Sequence, residues 1–211
     1  MFRTVSVVVV ALCICTMADA GWIATARTST IIANGDGNTG TLSDTSMNAF
    51  DQSIARTGQN GSASVRQQSS LTSNGMAYFT RAGIGSWSGG HGTWGNGRAF
   101  SEFSVTYTLS TATNYVMNVT KYFPPSAFRF QIKNLTTNTN VYYNGSIEDG
   151  SFSTSGTLGA GQYQVSIILD FQGGAGFNMT SDATASFSFI PTPSVLATFA
   201  LGGIATLRRR R

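Results

Sequence analysis

The sequence predicts an all-β chain, an antiparallel β-sandwich or jelly-roll-like single domain spanning residues 21–190. Three observations lead there. Apolar residues alternate with polar ones through one stretch after another, which puts one face of each strand in a core and the other in water. Turn sequences separate these stretches, among them Pro124-Pro125, Asn144-Gly145, Asp149-Gly150 and Gly173-Gly174, at the spacing of short antiparallel strands. No stretch shows convincing helical periodicity. Residues 46–54 come nearest and stand as the one helix candidate.

Taken in order, residues 22–33 form the first candidate strand. Residues 61–71 and 76–82 follow; both are rich in Ser, Gly and Ala, bury little per residue and so suit outer or edge positions. The clearest alternation begins at Phe103, Val105, Tyr107 and Leu109, and repeats at Tyr115, Met117 and Val119. It returns at Phe128, Phe130 and Ile132, runs longest through Tyr163, Val165, Ile167, Leu169 and Phe171, and ends with Ala185, Phe187 and Phe189. Phe103, Val105, Tyr107, Tyr163, Val165, Ile167, Leu169, Phe187 and Phe189 are the expected core.

The N-terminus reads as an export signal. Arg3 supplies a positive start, residues 5–17 an apolar stretch, and Ala18 and Ala20 the small residues a signal peptidase accepts, with cleavage before Gly21. Thirteen apolar residues rise about 20 Å as helix, short of a hydrocarbon core of about 30 Å. Cys13 and Cys15 are the chain's two cysteines and both lie in this stretch, so the mature chain is expected to have neither disulfide nor thiolate chemistry.

Charge narrows the partners. The chain has 13 Lys and Arg, of which five are Arg3 and Arg208–Arg211; it has nine Asp and Glu, of which one is Asp19. Residues 21–190 thus carry eight charges of each sign. A neutral, sparsely charged domain offers no basic face for phosphate, and no nucleic-acid partner is expected.

Candidate chemistry is thin. His91 is the only histidine and sits in a stretch, residues 83–98, with seven glycines in sixteen positions, a poor platform for holding an imidazole to catalytic tolerance. A zinc site needs more ligands than this chain supplies. Glycoside hydrolysis needs two carboxylates over a cleft; Glu102, Glu148, Asp149 and Asp170 are available, and solvated surface carboxylates are the simpler reading. Asp36 lies in a stretch resembling part of a calcium loop, but as a lone carboxylate it reads better as a turn residue. No catalytic residue, cofactor or metal is assigned. Trp87 and Trp94 in the glycine-rich stretch could stack on sugar rings or plug the end of the sandwich; at least one is expected to be buried. Five N-x-S/T sequons, at Asn60, Asn118, Asn134, Asn144 and Asn178, are within what such a Ser/Thr/Asn-rich chain produces by chance.

The C-terminus joins Pro191-Thr192-Pro193 to thirteen apolar or small residues at 195–207, with Gly202 and Gly203 paired inside, and then Arg208, Arg209, Arg210 and Arg211. The apolar run is about 20 Å long as helix, and the positive-inside bias keeps the arginines cytoplasmic with the domain outside. In these residues the chain resembles bacterial PEP-CTERM proteins, of a planctomycete-like kind with a Pro-Thr-Pro variant of the motif. The resemblance implies a sorting or anchor segment over residues 191–211, read by an exosortase-like processing enzyme, and delivery to the cell surface or extracellular polysaccharide matrix. The expectation is an exported, non-catalytic structural or adhesive protein, held transiently or permanently at the membrane. A carbohydrate-binding module using Trp87 and Trp94, and a degenerate glycan hydrolase, are the alternatives.

Overall fold

The computed structural model describes residues 21–86, 96–122, 126–145, 150–174 and 178–190. They fold into twelve strands with no helix among the described residues: β1 Trp22–Gly35, β2 Asn38–Asp44, β3 Phe50–Thr57, β4 Gly61–Thr72, β5 Gly75–Ser86, β6 Asn96–Leu109, β7 Thr113–Tyr122, β8 Ser126–Asn134, β9 Thr139–Asn144, β10 Gly150–Leu158, β11 Gly161–Gly174 and β12 Asn178–Ile190. Two antiparallel six-stranded sheets result, in the orders β2-β1-β6-β11-β8-β9 and β10-β7-β12-β5-β4-β3. Within them, β5 to β12 divide between the sheets in the order of an eight-stranded jelly roll, β5-β12-β7-β10 facing β6-β11-β8-β9. The hairpins β1–β2 and β3–β4 widen the two sheets on one side, where β2 lies over β3, while β1 and β6 lie over β4 and β5.

The period-two pattern does what it predicts. All nine expected core residues are 4 % exposed or less, and Phe128, Phe130, Ile132, Met117 and Val119 join them. Each large side chain fully buried contributes roughly 1.5–3 kcal/mol. The aromatics collect at one end of the core: Phe187 and Phe189 meet edge-on at 5.0 Å, and Tyr107, Tyr115 and Trp22 pack around them at 5.1–6.0 Å.

Two expectations fail. Residues 46–54 form no helix: 50–54 open β3, with Phe50 and Ile54 on its buried face. Their spacing of four is even, so it keeps side chains on one face of a strand as well as of a helix. Residues 61–71 and 76–82, expected at the edge, lie in β4 and β5, which are interior strands. Their small Ala63 and Ala82 are fully enclosed, and on this face bulk comes from the opposite sheet, as where Phe103 stacks on Tyr78 at 6.2 Å.

The strand ends define a tip and a base. At the tip, Asp36-Gly37 makes a two-residue β1–β2 hairpin loop with positive φ at both positions (47° and 86°), the conformation that favours Asp-Gly. Close to it lie the β3–β4 turn, the end of β5 at Ser86, the start of β6 at Asn96, the end of β11 at Gly174 and the start of β12 at Asn178. At the base, Trp22 pairs with Leu109 and Ile190 with Asn114, so both termini of the described domain leave on this side. Gly21 is tied there too, its carbonyl accepting from Ser110 N at 2.8 Å.

Candidate functional site

At the tip, the outer face of the β1–β6–β11 sheet carries a polar row. Asn34, Arg98 and Gln172 are in register on the three strands, and with Asp36, Asn96 and the glycines 37, 97 and 173 they line an open cleft of about 680 Å³. Arg98 donates from Nε and Nη2 to the two carboxylate oxygens of Asp170 at 2.9 and 3.0 Å. Gln172 Nε2 donates to the same oxygens at 3.0 and 3.1 Å. The Arg98 guanidinium lies over the Phe100 ring, 5.5 Å from its centre. Alternation delivers this arrangement: Arg98 and Phe100 take the outward parity of the strand whose inward residues are Ala99, Ser101 and Phe103.

Two carboxylates on this face have opposite electrostatics. Burial pushes the Asp170 carboxyl up, but hydrogen bonds from Arg98 and Gln172 and the charges of Arg98 and Arg129 override it and hold it below the ordinary carboxylate range. Glu102 is pushed up by burial alone. Their strands are neighbours, with Glu102 opposite Ile168 and Asp170 opposite Phe100, so the two stand diagonally rather than face to face. A pair with separated acidities is what glycoside hydrolysis uses. Asp170, however, is already engaged by two donors on both oxygens, which is the condition of a structural counter-ion. Glu148 and Asp149 lie outside the described residues.

The tip also explains Asp36. Its Oδ2 accepts from Asn60 N at 3.0 Å and its own N donates to Asn96 O at 2.9 Å, while Asn34 Oδ1 accepts from Gly37 N at 2.9 Å. The carboxylate ties the β1–β2 turn to the β3–β4 turn, and among the described residues no group of three or more His, Cys, Asp or Glu could hold a metal ion. A second cleft of about 520 Å³ lies at the tip on the other sheet, floored by Gly83 and Gly85 and walled by Arg56, Ser62, Ser64 and Asn178.

The remaining sequence candidates fall elsewhere. His91, Trp87, Trp94 and the expected burial of a Trp87 or Trp94 lid lie outside the described residues, as do Ala18, Ala20, Pro191, Thr192, Pro193, Gly202, Gly203 and Arg208–Arg211. Sequence reasoning missed one feature entirely. Arg27 has a fully buried side chain paired with Asp44 at 3.3 Å. Its Nη1 also donates to Ser46 O at 2.6 Å and to Asn48 O, and its Nη2 to Ser29 Oγ at 2.9 Å and Ser69 Oγ at 3.3 Å. The polar line continues through Gln67, 3.0 Å from both Ser69 Oγ and Ser101 Oγ, to the Tyr78 hydroxyl, which donates to Ser101 at 2.8 Å. The available signal was parity, since Arg27 and Ser29 share the inward face of Ile31 and Ala33.

No protein-family model matches the chain. A search of curated proteins finds no match either.

Proposed function

We propose that the chain is an exported bacterial surface or extracellular-matrix protein, a non-catalytic structural or adhesive sandwich displayed from the membrane by residues 191–211. The observation that supports this reading is the common base. Trp22, two residues after the expected signal cleavage, packs on Phe189 with ring centres 5.1 Å apart, and Phe189 is two residues before Pro191. A chain held through its C-terminal segment then presents the opposite end, the tip, outward. Strands of 14 residues such as β6 put tip and base roughly 45 Å apart.

A second reading, glycan binding through Trp87 and Trp94, is favoured by one observation: Ser86 and Asn96, the residues on either side of that stretch, both stand at the tip. Alanine at both tryptophans should then abolish binding on a glycan array.

The primary test is made on cells. The tip should be labelled by an antibody on intact bacteria, and mass spectrometry of the native chain should find a C-terminus near Pro193 if a processing enzyme removes the segment. Intact Arg208–Arg211 on a surface-labelled chain would reduce the segment to a plain anchor. A chain found only in the cytoplasm would end the reading. Changing the four arginines to serine should release the chain unprocessed, because each resists transfer across hydrocarbon by roughly 2.5–3.5 kcal/mol on insertion scales.

A further inference from the structure

We propose that the tip cleft lined by Asn34, Asn96, Arg98 and Gln172 is a binding site for a neutral, hydroxyl-rich polymer, that is, a segment of polysaccharide. The first argument is charge. Asp36 and Arg98 are the two charged residues lining the cleft. Arg98 is matched by Asp170 at 2.9 Å, and the Asp36 carboxylate is engaged by Asn60 N at 3.0 Å. An anion would meet two carboxylates, and a cation would find a single carboxylate that already ties two turns together; neither is favoured.

The second argument is hydrogen-bonding capacity. Among the described residues, Arg98 spends Nε and Nη2 on Asp170, Gln172 spends Nε2 there, and Asn34 spends Oδ1 on Gly37 N. What each keeps for a ligand is the opposite end: donors at Arg98 Nη1 and Asn34 Nδ2, an acceptor at Gln172 Oε1, and both kinds at the Asn96 amide. Two donors and an acceptor along one row, with both kinds at Asn96, suit hydroxyls, because each hydroxyl both gives and takes a hydrogen bond. The used halves hold the free halves still, so binding orders few side chains.

The third argument is shape. At about 680 Å³ the cleft has the volume of a ligand site. Its row crosses three strands, about 10 Å from Asn34 to Gln172, and is open to solvent, so a chain can lie across it without an end being enclosed. Gly37 at its rim puts no side chain in the way, since a Cβ there would meet nothing within 4 Å. The inference rests on the surface reading in one respect only, that export brings the tip to extracellular polysaccharide.

Affinity electrophoresis of the full-length chain in mild detergent tests it. The gels carry a soluble β-glucan, a galactomannan or a xylan as neutral probes, and alginate or dextran sulfate as anionic ones. At least one neutral polymer should retard the chain, and 0.5 M NaCl should not reverse the effect, since no ion pair is being screened. The double variant Asn34→Asp, Gln172→Ala should weaken retardation about tenfold. Aspartate at 34 keeps the oxygen that accepts from Gly37 N and removes the donor; it also adds a negative charge, for which the uncharged Gln172→Ala single variant is the control. An unchanged thermal midpoint separates lost binding from lost folding; if that variant is unstable, Gln172→Ala alone, at an exposed position, is read in its place. No retardation by any neutral polymer, retardation only by the anionic ones with loss in salt, or full binding by the variant would each overturn the proposal. Because the measurement uses purified chain, it can fail while surface labelling succeeds, and the reverse.

Discussion

Replacing Arg27 by methionine should destabilise the fold by about 3 kcal/mol, and the size follows from what the guanidinium holds. Its Nη1 fastens Ser46 O and Asn48 O, which belong to residues 45–49, the segment carrying the chain from β2 in one sheet to β3 in the other. Hydrogen bonds from a charged donor are worth roughly 1.5–3 kcal/mol each, and removing one partner of a buried ion pair costs about 3–5 kcal/mol. The lower end applies. Asp44 is a third exposed and also receives Ser46 N at 2.9 Å and Ser46 Oγ at 2.8 Å, while Ser29 and Ser69 remain bonded to each other at 3.1 Å. Methionine keeps the stem volume, so little cavity adds to the loss. The opposing effect is relief of desolvation, which sometimes makes an apolar replacement of a buried ion stabilising. Here the bonds to fixed carbonyls should win. Urea unfolding followed by tryptophan fluorescence measures the difference, and at 2–4 °C per kcal/mol for a domain of this size the midpoint should fall by about 6–12 °C. Limited proteolysis should show earlier cleavage within residues 45–49. A variant within about 1 kcal/mol of the parent, or more stable, with residues 45–49 still protected, would refute the view that Arg27 pins this crossover.

Glu102 and Asp44 should give opposite pH effects. The Glu102 carboxyl is raised in the fold by burial, so its contribution to stability is most favourable below the ordinary carboxylate range and is lost as pH rises through the folded value. Glu102→Gln should therefore be neutral to stabilising at pH 7, with the advantage vanishing toward pH 4. Asp44 is lowered in the fold, chiefly by the backbone and hydroxyl hydrogen bonds of Ser46 and then by Arg27. Its contribution is present above the ordinary value and lost as pH falls through the folded one, so the stability difference between parent and Asp44→Asn should shrink below about pH 4. Gly75→Ala should leave little soluble protein, because a Cβ there would sit 1.9 Å from the carbonyl oxygen of Phe187, a backbone atom of a central strand; expression with normal stability would contradict the β5–β12 register.

How much of this was legible depended on whether a strand faces bulk. β6, β7, β8, β11 and β12 each hold a run of large apolar residues at alternate positions, such as 103–109, 115–119 and 163–171, so their faces could be read directly. β10, with the sequence GSFSTSGTL, and β2, with NTGTLSD, are edge strands with too few large apolar residues, Phe152 and Leu158 in one and Leu42 in the other, to mark a period. β4 and β5 mislead for a subtler reason. Their inward residues include Gln67, Ser69 and Thr80, all buried, and a polar residue looks like an outward one until its partners across the core are known. Asn34, Arg98 and Gln172 were invisible as a group because the row joins strands separated by more than sixty residues, and only the sheet order makes them neighbours.

The position of β12 has a mechanical consequence. It lies between β5 and β7, bonded to the first along residues 178–188 and to the second along 182–190, and its last residue is the one from which the C-terminal segment departs. A pull exerted between something gripping the tip and that segment runs along β12, at right angles to its ladder hydrogen bonds. Such a load shears the whole strand against two neighbours at once instead of peeling it off one bond at a time, whereas an edge strand at the same exit would have a single ladder to resist the same pull.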